Sequence, residues 1–411
     1  MKAQTTKKPS PTVTTASAVL STVIRNPRIL KAKPAVNLFL MRYLRKFRIR
    51  KVGGDIVVHS HLPPLNSRAY SRLIDEHLLR ESEGPSHAQI GLTSACPQRC
   101  GYCYNRDRQG VPMDAATIRK TIAGLKEMGV VWIGLTGGEP LLQGEIVSIT
   151  AEAARDCAVK LFTTGCGLTP SLAAALKAAG LASVSVSLDH WTADVHDRAR
   201  SYPGAFQTAL EAIDQFKAAG LHVGVSAVLS REMIRSGETE TFLDYLRTLG
   251  IDEAWISEAK PSARPFWKPE FVITEDERRS LVAVQDRANR RGGMTVNYLG
   301  HFESGRHFGC NAGRKMIYVD AFGEVSPCVF TPMTFGNVRE SDVRDIWTGM
   351  RAVFAPGSEC FMNKNYGLFA KHADGRIPLP AEESLSLMKE VGFGPPGRLP
   401  SLLQGRKWKS T

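Results

Sequence analysis

From Ala88 to about Met294, short runs of apolar and β-branched residues alternate with longer stretches whose apolar positions recur at helical spacing. The short runs predict six strands, at residues 89–93, 130–135, 159–163, 183–188, 222–229 and 253–257. Helical stretches at 115–128, 145–157, 170–179, 205–219 and 239–249 lie between them. Gly180, Gly220 and Gly250 follow three of these helices, where a left-handed residue ends a helix without steric cost. Strands alternating with helices predict an α/β fold with a parallel sheet, and right-handed crossovers curl that sheet into a partial (β/α)6 barrel. After Met294 the alternation is expected to stop, giving way to a smaller cysteine-bearing segment.

The N-terminal region follows a different pattern. Residues 1–35, rich in Lys, Pro, Ser and Thr, predict a disordered basic leader. Over 36–51, Val36, Leu40, Tyr43, Leu44 and Phe47 fall on one helical face, with Arg42, Arg45, Lys46 and Arg48 largely on the other. That predicts an amphipathic basic helix at the head of a connecting arm, 36–87. Such a helix either packs its stripe on the body or makes a peripheral contact with anionic lipid. The expected divisions are then a core at 88–300, a module at 301–365 and a C-terminal tail at 366–411.

Charge sharpens this division. The chain has 53 Lys and Arg against 40 Asp and Glu, and its first acidic residue is Asp55. The entire +13 excess precedes that position, so the remaining chain is formally neutral. A neutral body offers no broad basic face for phosphates, and no nucleic-acid partner is expected. No apolar run approaches the roughly 18 residues of a membrane span. Eight cysteines in 411 residues are too few for a disulfide scaffold, and residues 1–24 lack a continuous signal-peptide core. The expected location is the cytoplasm, peripheral at the inner face of the membrane if the helix binds lipid; an organelle transit peptide is the alternative.

Three of the cysteines, Cys96, Cys100 and Cys103, stand in a CxxxCxxC spacing just after the first predicted strand. Thiolates packed this closely suit zinc or an iron–sulfur cluster. Zinc usually takes four protein ligands in paired knuckles, and no second knuckle is nearby. Gly137-Gly138-Glu139-Pro140 follows the second predicted strand. With Tyr102 as the aromatic before the third cysteine, the two motifs together resemble the radical S-adenosylmethionine (SAM) superfamily. The resemblance implies a [4Fe-4S] cluster with one open iron that binds SAM, reductive cleavage of SAM to a 5′-deoxyadenosyl radical, and hydrogen abstraction from a substrate. It implies that Gly137, Gly138 and Glu139 hold the methionine amino group, that Thr164 lies in a polar turn after strand three, and that Ser187 and Asp189 contact the ribose or carboxylate of SAM. Cys166 stands where it could face the cavity, whereas Cys157 ends a helix as a small buried hydrophobe.

Farther along, twelve residues separate Cys310 from Gly323 and four more precede Cys328, with Cys360 beyond. This CX12GX4C spacing resembles the opening of the SPASM and Twitch extensions of radical SAM enzymes. IYVD and EVSP flank an Ala321-Phe322-Gly323 turn, which predicts a β-hairpin. With three cysteines after residue 300, the resemblance implies one auxiliary iron–sulfur cluster on Cys310, Cys328 and Cys360, its fourth ligand non-cysteine, exogenous or absent. A module that has lost its cluster is the alternative. The family also implies an external flavodoxin or ferredoxin as electron donor. Residues 1–87 do not resemble a leader-peptide recognition module, so the expected substrate is a biosynthetic metabolite or lipid. A ribosomal peptide or protein maturase is the second reading. A non-catalytic electron carrier is the third, which has no use for the GGEP turn. No side chain acting on the substrate can be singled out.

Overall fold

The computed structural model describes residues 9–305, 307–372 and 376–392. Residues 1–8 of the expected leader and 373–375 and 393–411 of the expected tail lie outside the described residues. A small hairpin, β1 (Arg50–Val52) with β2 (Asp55–Val57), precedes the main sheet. All six predicted strands are present, as β3 (His87–Gly91), β4 (Trp132–Thr136), β5 (Ala158–Thr163), β6 (Leu181–Ser187), β7 (His222–Leu229) and β8 (Glu253–Glu258). They pair in parallel and in sequence order, with a helix in each crossover. The helix Ala115–Glu127, for example, starts where the Asp114 carboxylate accepts the Thr117 amide at 2.7 Å and buries Ile118, Ile122 and Leu125 on the sheet.

The alternation runs one unit further than expected. The capping box of Thr274 and Glu277 opens the helix Glu275–Arg291, which leads into β9 (Thr295–Tyr298), parallel to β8. The cysteine-bearing segment is also joined to the core rather than set apart. Its hairpin, β10 (Met316–Val319) and β11 (Val325–Ser326), adds to the other edge, with β10 parallel to β3, so the sheet order is β11-β10-β3-β4-β5-β6-β7-β8-β9. Gly323 makes the hairpin turn at φ +89°, and a Cβ there would meet Asn337 Oδ1 at 2.7 Å.

One expectation for the ends of the chain is corrected and two are made more definite. Within 9–35 the chain is ordered: Thr14 caps a helix at Thr15–Arg25, and Ala18 and Ile29 pack with Leu44, Ile49, Val58, Leu65, Tyr70 and Ile74. The basic helix runs Pro34–Leu44, and its predicted stripe is turned inward. Val36, Tyr43 and Leu44 are buried, and the Tyr43 ring packs against Phe302 and Phe308. That burial removes the stripe from contact with a bilayer. The described residues of the tail are tied down as well, with helices Phe361–His372 and Ala381–Met388 and bridges from Ile377 to Arg108 and Leu379 to Met333. Among the described residues, no helix is long and apolar enough to cross a membrane.

The arm closes the barrel end where the strands begin. Ser60 donates its amide to Glu253 Oε2 at 3.0 Å and accepts Trp132 Nε1 on its carbonyl at 2.7 Å and Lys160 Nζ on its hydroxyl at 2.6 Å. Chemistry is therefore left to the opposite mouth, where the strands end.

Candidate active site at the carboxyl ends of the strands

Cys96, Cys100 and Cys103 lie on the loop leaving β3. Cys100 is buried and the other two are half-buried. Burial pushes all three thiols up, Cys96 to about 12, against the pull of backbone amides, from Gln98 on Cys96 and from Asn105 and Arg106 on Cys103. Amides aimed at sulfur favour the thiolate, and a cationic metal core supplies the remaining stabilisation. Gln98, inside the same loop, buries an Oε1 with no hydrogen-bond partner. The loop's donor set and its orphaned acceptor fit a bound cluster with a ligand beside it. Among the described residues, no group of three or more His, Cys, Asp or Glu is arranged around a single ion.

Two neighbouring loops hold this one in place. After β4, Gly138 donates its amide to Thr93 O at 2.6 Å and Glu139 to Ala95 O at 2.7 Å. A Cβ on Gly137 would lie 2.4 Å from Thr93 O, and one on Gly138 2.2 Å from Ala95 O, so both glycines are required for loop-on-loop contact. Glu139 is fully buried. Its carboxylate accepts Thr163 Oγ1 at 2.6 Å, the Leu141 amide at 3.0 Å, and the Thr164 amide and hydroxyl at 2.7 and 2.5 Å. These four donors give Glu139 an organising role, tying the loop after β4 to the end of β5. Pro140 is buried and opens a single turn, Pro140–Leu142. Cys166 lies within 4.0 Å of Gln98 Nε2, at the site's edge, whereas Cys157 is buried and donates to Val130 O.

On the other side, Asp189 follows β6. Its Oδ2 accepts Arg200 Nε at 2.8 Å and the Tyr102 hydroxyl, and its Oδ1 accepts the Val228 amide at 2.9 Å. Arg200 in turn reaches Cys100 Sγ at 3.8 Å, and its carbonyl accepts the Arg99 amide at 3.0 Å. Asp189 and Tyr102 are thus both engaged in fixing the cysteine loop. Ser187 ends β6 half-buried, in register with Ser226. Arg200, Gln98 and Asn105 escaped the sequence reading. Asn105 donates to Gly137 O at 2.8 Å and accepts the Tyr318 hydroxyl of β10 at 2.8 Å, joining the site to the C-terminal module. The available sign was Arg200 itself, a cation eleven residues after Asp189.

In that module Cys310, Cys328 and Cys360 come together from three segments. Burial pushes each thiol up to about 12, while backbone amides of Ala312 and Phe361 bond Cys310, Phe330 bonds Cys328 and Asn363 bonds Cys360. The Thr331 hydroxyl lies 3.1 Å from Cys328 Sγ. This donor set matches that of the first loop and fits a second cluster.

Comparison with known proteins agrees with both sites. Residues 90–249 match the radical SAM superfamily, and residues 310–364 match SPASM, an iron–sulfur cluster-binding domain. An AdoMet-dependent heme synthase of Methanosarcina barkeri is 27% identical, over 62% of this chain and 80% of that protein. A PqqA peptide cyclase of Methylobacterium nodulans is 28% identical over 62% and 71%, and the mycofactocin maturase MftC of Mycolicibacterium smegmatis 29% over 62% and 67%. The fold is shared with Streptococcus suis SuiB bound to S-adenosylmethionine, at TM-score 0.54 and 17% identity over 69% and 73% of the chains. It is shared also with anSMEcpe with bound AdoMet, at TM-score 0.55 and 15% identity over 77% and 98%. The cofactors are accordingly a [4Fe-4S] cluster, SAM and further iron–sulfur at the SPASM domain. The chain is a member of the radical SAM superfamily, an enzyme with a C-terminal SPASM domain.

Proposed function

We propose that Cys96, Cys100 and Cys103 hold the cluster at which this enzyme cleaves SAM, and that the hydrogen it abstracts comes from a peptide. The first part rests on one observation: three thiols, two met by backbone amides and Cys100 by Arg200, lie on a loop clamped on both sides, by Gly138 through Thr93 and Glu139 through Ala95, and by Arg200 through Cys100. When bound, the reduced cluster and SAM supply methionine and a hydrogen-abstracting 5′-deoxyadenosyl group. The chain's own work is positional. Arg200 offsets the negative charge gathering at Cys100, and Asp189 keeps that guanidinium in place. Glu139 makes the loops after β4 and β5 move as one body. Gln98 Oε1 and the Ser187 hydroxyl are the polar atoms offered to the ligand. An external one-electron donor, a flavodoxin or ferredoxin, reduces the cluster. Cys310, Cys328 and Cys360 hold the auxiliary cluster.

The substrate reading moves from lipid or metabolite to peptide for two reasons. The lipid reading rested on an amphipathic basic helix whose apolar stripe is buried on the body. Relatives named for their substrates include several PqqA peptide cyclases, and the shared fold includes SuiB bound to precursor peptide SuiA. A small-molecule substrate is the second reading, favoured by the similarity to AdoMet-dependent heme synthases. To separate them, extract of perdeuterated cells is divided into peptide and small-molecule fractions and each is given to the reconstituted enzyme with unlabelled SAM. Deuterium should enter 5′-deoxyadenosine from the peptide fraction. Label from the small-molecule fraction alone would replace the first reading by the second.

A further inference from the structure

Three thiols leave a four-iron cluster one ligand short of the usual four. Beside Cys310, Cys328 and Cys360 the fold places a charged cluster that the SAM site does not use. Glu258 ends β8, Lys260 follows it, and Glu303 stands at the end of the short helix Leu299–Phe302. Lys260 Nζ donates to Glu258 Oε1 at 2.9 Å and to Glu303 Oε2 at 2.6 Å. The side chains of Lys260 and Glu258 are 1% and 2% exposed, that of Glu303 17%. Asn363 donates Nδ2 to Glu258 Oε1 at 3.1 Å, and its backbone amide bonds Cys360 Sγ. Tight turns, with Phe308 N on Phe302 O at 3.2 Å and Gly309 N on Ser304 O at 3.1 Å, fold the chain back so that Cys310 returns toward Glu303.

One ammonium is thus shared by two carboxylates among three thiols. Glu258 Oε1 takes both Lys260 and Asn363, and the charge of Glu303 bears on all three thiols. The half-buried Glu303 carboxylate shares its ammonium with Glu258, and the uncapped iron of a three-thiolate cluster is a further cation for it to meet.

We propose that the Glu303 carboxylate is the fourth protein ligand of the auxiliary cluster, with Lys260 holding its Oε2. This rests on the reading that Cys310, Cys328 and Cys360 carry that cluster. It resolves the open fourth position in favour of a non-cysteine ligand and leaves no auxiliary iron free for substrate.

The test uses full-length protein, reconstituted anaerobically, in a C96A/C100A/C103A background that isolates the auxiliary cluster. Iron and sulfide content, Mössbauer spectra and electron paramagnetic resonance are read for E303A, E303C and the parent, with and without added imidazole. The parent should hold a four-iron cluster indifferent to imidazole. E303A should lose one iron on oxidation or change its spectrum with imidazole. E303C should restore the fourth iron with an altered spectrum, which separates ligation from folding because cysteine cannot replace the ion pair with Lys260. A parent with an intact cluster whose spectra and imidazole response match those of E303A would overturn the proposal while sparing the auxiliary cluster. A parent without iron would overturn both.

Discussion

Gly138→Ala isolates the contact between the GGEP turn and the cysteine loop. The added Cβ would sit 2.2 Å from Ala95 O, 2.6 Å from Ala95 C and 2.7 Å from Ser94 O, all backbone atoms that no rotamer change can move aside. To restore ordinary contact the loop must retreat by roughly 1 Å. Such a retreat breaks or stretches the bonds from Gly138 N to Thr93 O and from Glu139 N to Ala95 O. At about 0.5–1.5 kcal/mol for each bond, the loss of stability is about 1–3 kcal/mol. The larger effect falls on turnover, because Ala95 adjoins Cys96, and a misplacement of about 1 Å costs on the order of 100-fold in rate. The assay is 5′-deoxyadenosine formation per assembled cluster, with iron content measured in parallel. Gly144→Ala is the control, since nothing lies within 4 Å of its Cβ position. A Gly138→Ala enzyme with full iron and undiminished turnover would refute the argument that the glycine pair is required for loop-on-loop contact.

Other outcomes follow from the same geometry. Asp189→Asn leaves Arg200 without its buried carboxylate, and breaking such a pair costs about 3–5 kcal/mol; iron retained at the first site should fall, and unchanged iron content with an unchanged melting temperature would count against the clamp. Joint replacement of Cys310, Cys328 and Cys360 by Ala should lower iron per chain while SAM cleavage persists, whereas unchanged iron would mean that those thiols bind none. Acid should unfold the protein through its buried neutral histidines. Burial lowers His59 and His77 to about 3 from an unfolded value near 6.5, so between those values the unfolded chain binds more protons and stability falls as pH drops. From pH 7 to 5 each contributes a loss of about 2 kcal/mol. His77 is fixed in this state, its Nε2 donating to Gly129 O at 2.8 Å while Nδ1 accepts Lys315 Nζ at 3.1 Å. Denaturant midpoints equal at pH 7 and pH 5 would dismiss this account.

The features legible in the sequence were the ones written locally. Each of the six central strands is a short apolar run, because a parallel strand covered on both faces reads that way, and CxxxCxxC and GGEP are contiguous. The strand β9 was missed because Thr295 and Asn297 interrupt its apolar character, although both are buried. The pairing of β10 with β3 depends on contacts across more than two hundred residues, which no local pattern records. The helix Thr15–Arg25 is built from weak helix formers and owes its order to packing of Ala18 and its neighbours, so composition alone suggested disorder. Asp189 shows the ambiguity most clearly. A polar residue at a strand end can cap a helix, bind a ligand or pair with a cation, and the choice turned on Arg200, eleven residues on, and on Cys100, far away in sequence.

The central claim is that the loop bearing Cys96, Cys100 and Cys103 supports reductive cleavage of SAM. It is tested most directly by anaerobic reconstitution of the full chain with iron and sulfide, followed by addition of dithionite and SAM and quantification of methionine and 5′-deoxyadenosine. The account predicts both products in equal amounts from the intact enzyme and neither from Cys96→Ala, Cys100→Ala or Cys103→Ala. Cleavage persisting in any of the three variants, or an intact enzyme with a full cluster that forms no 5′-deoxyadenosine, would contradict it.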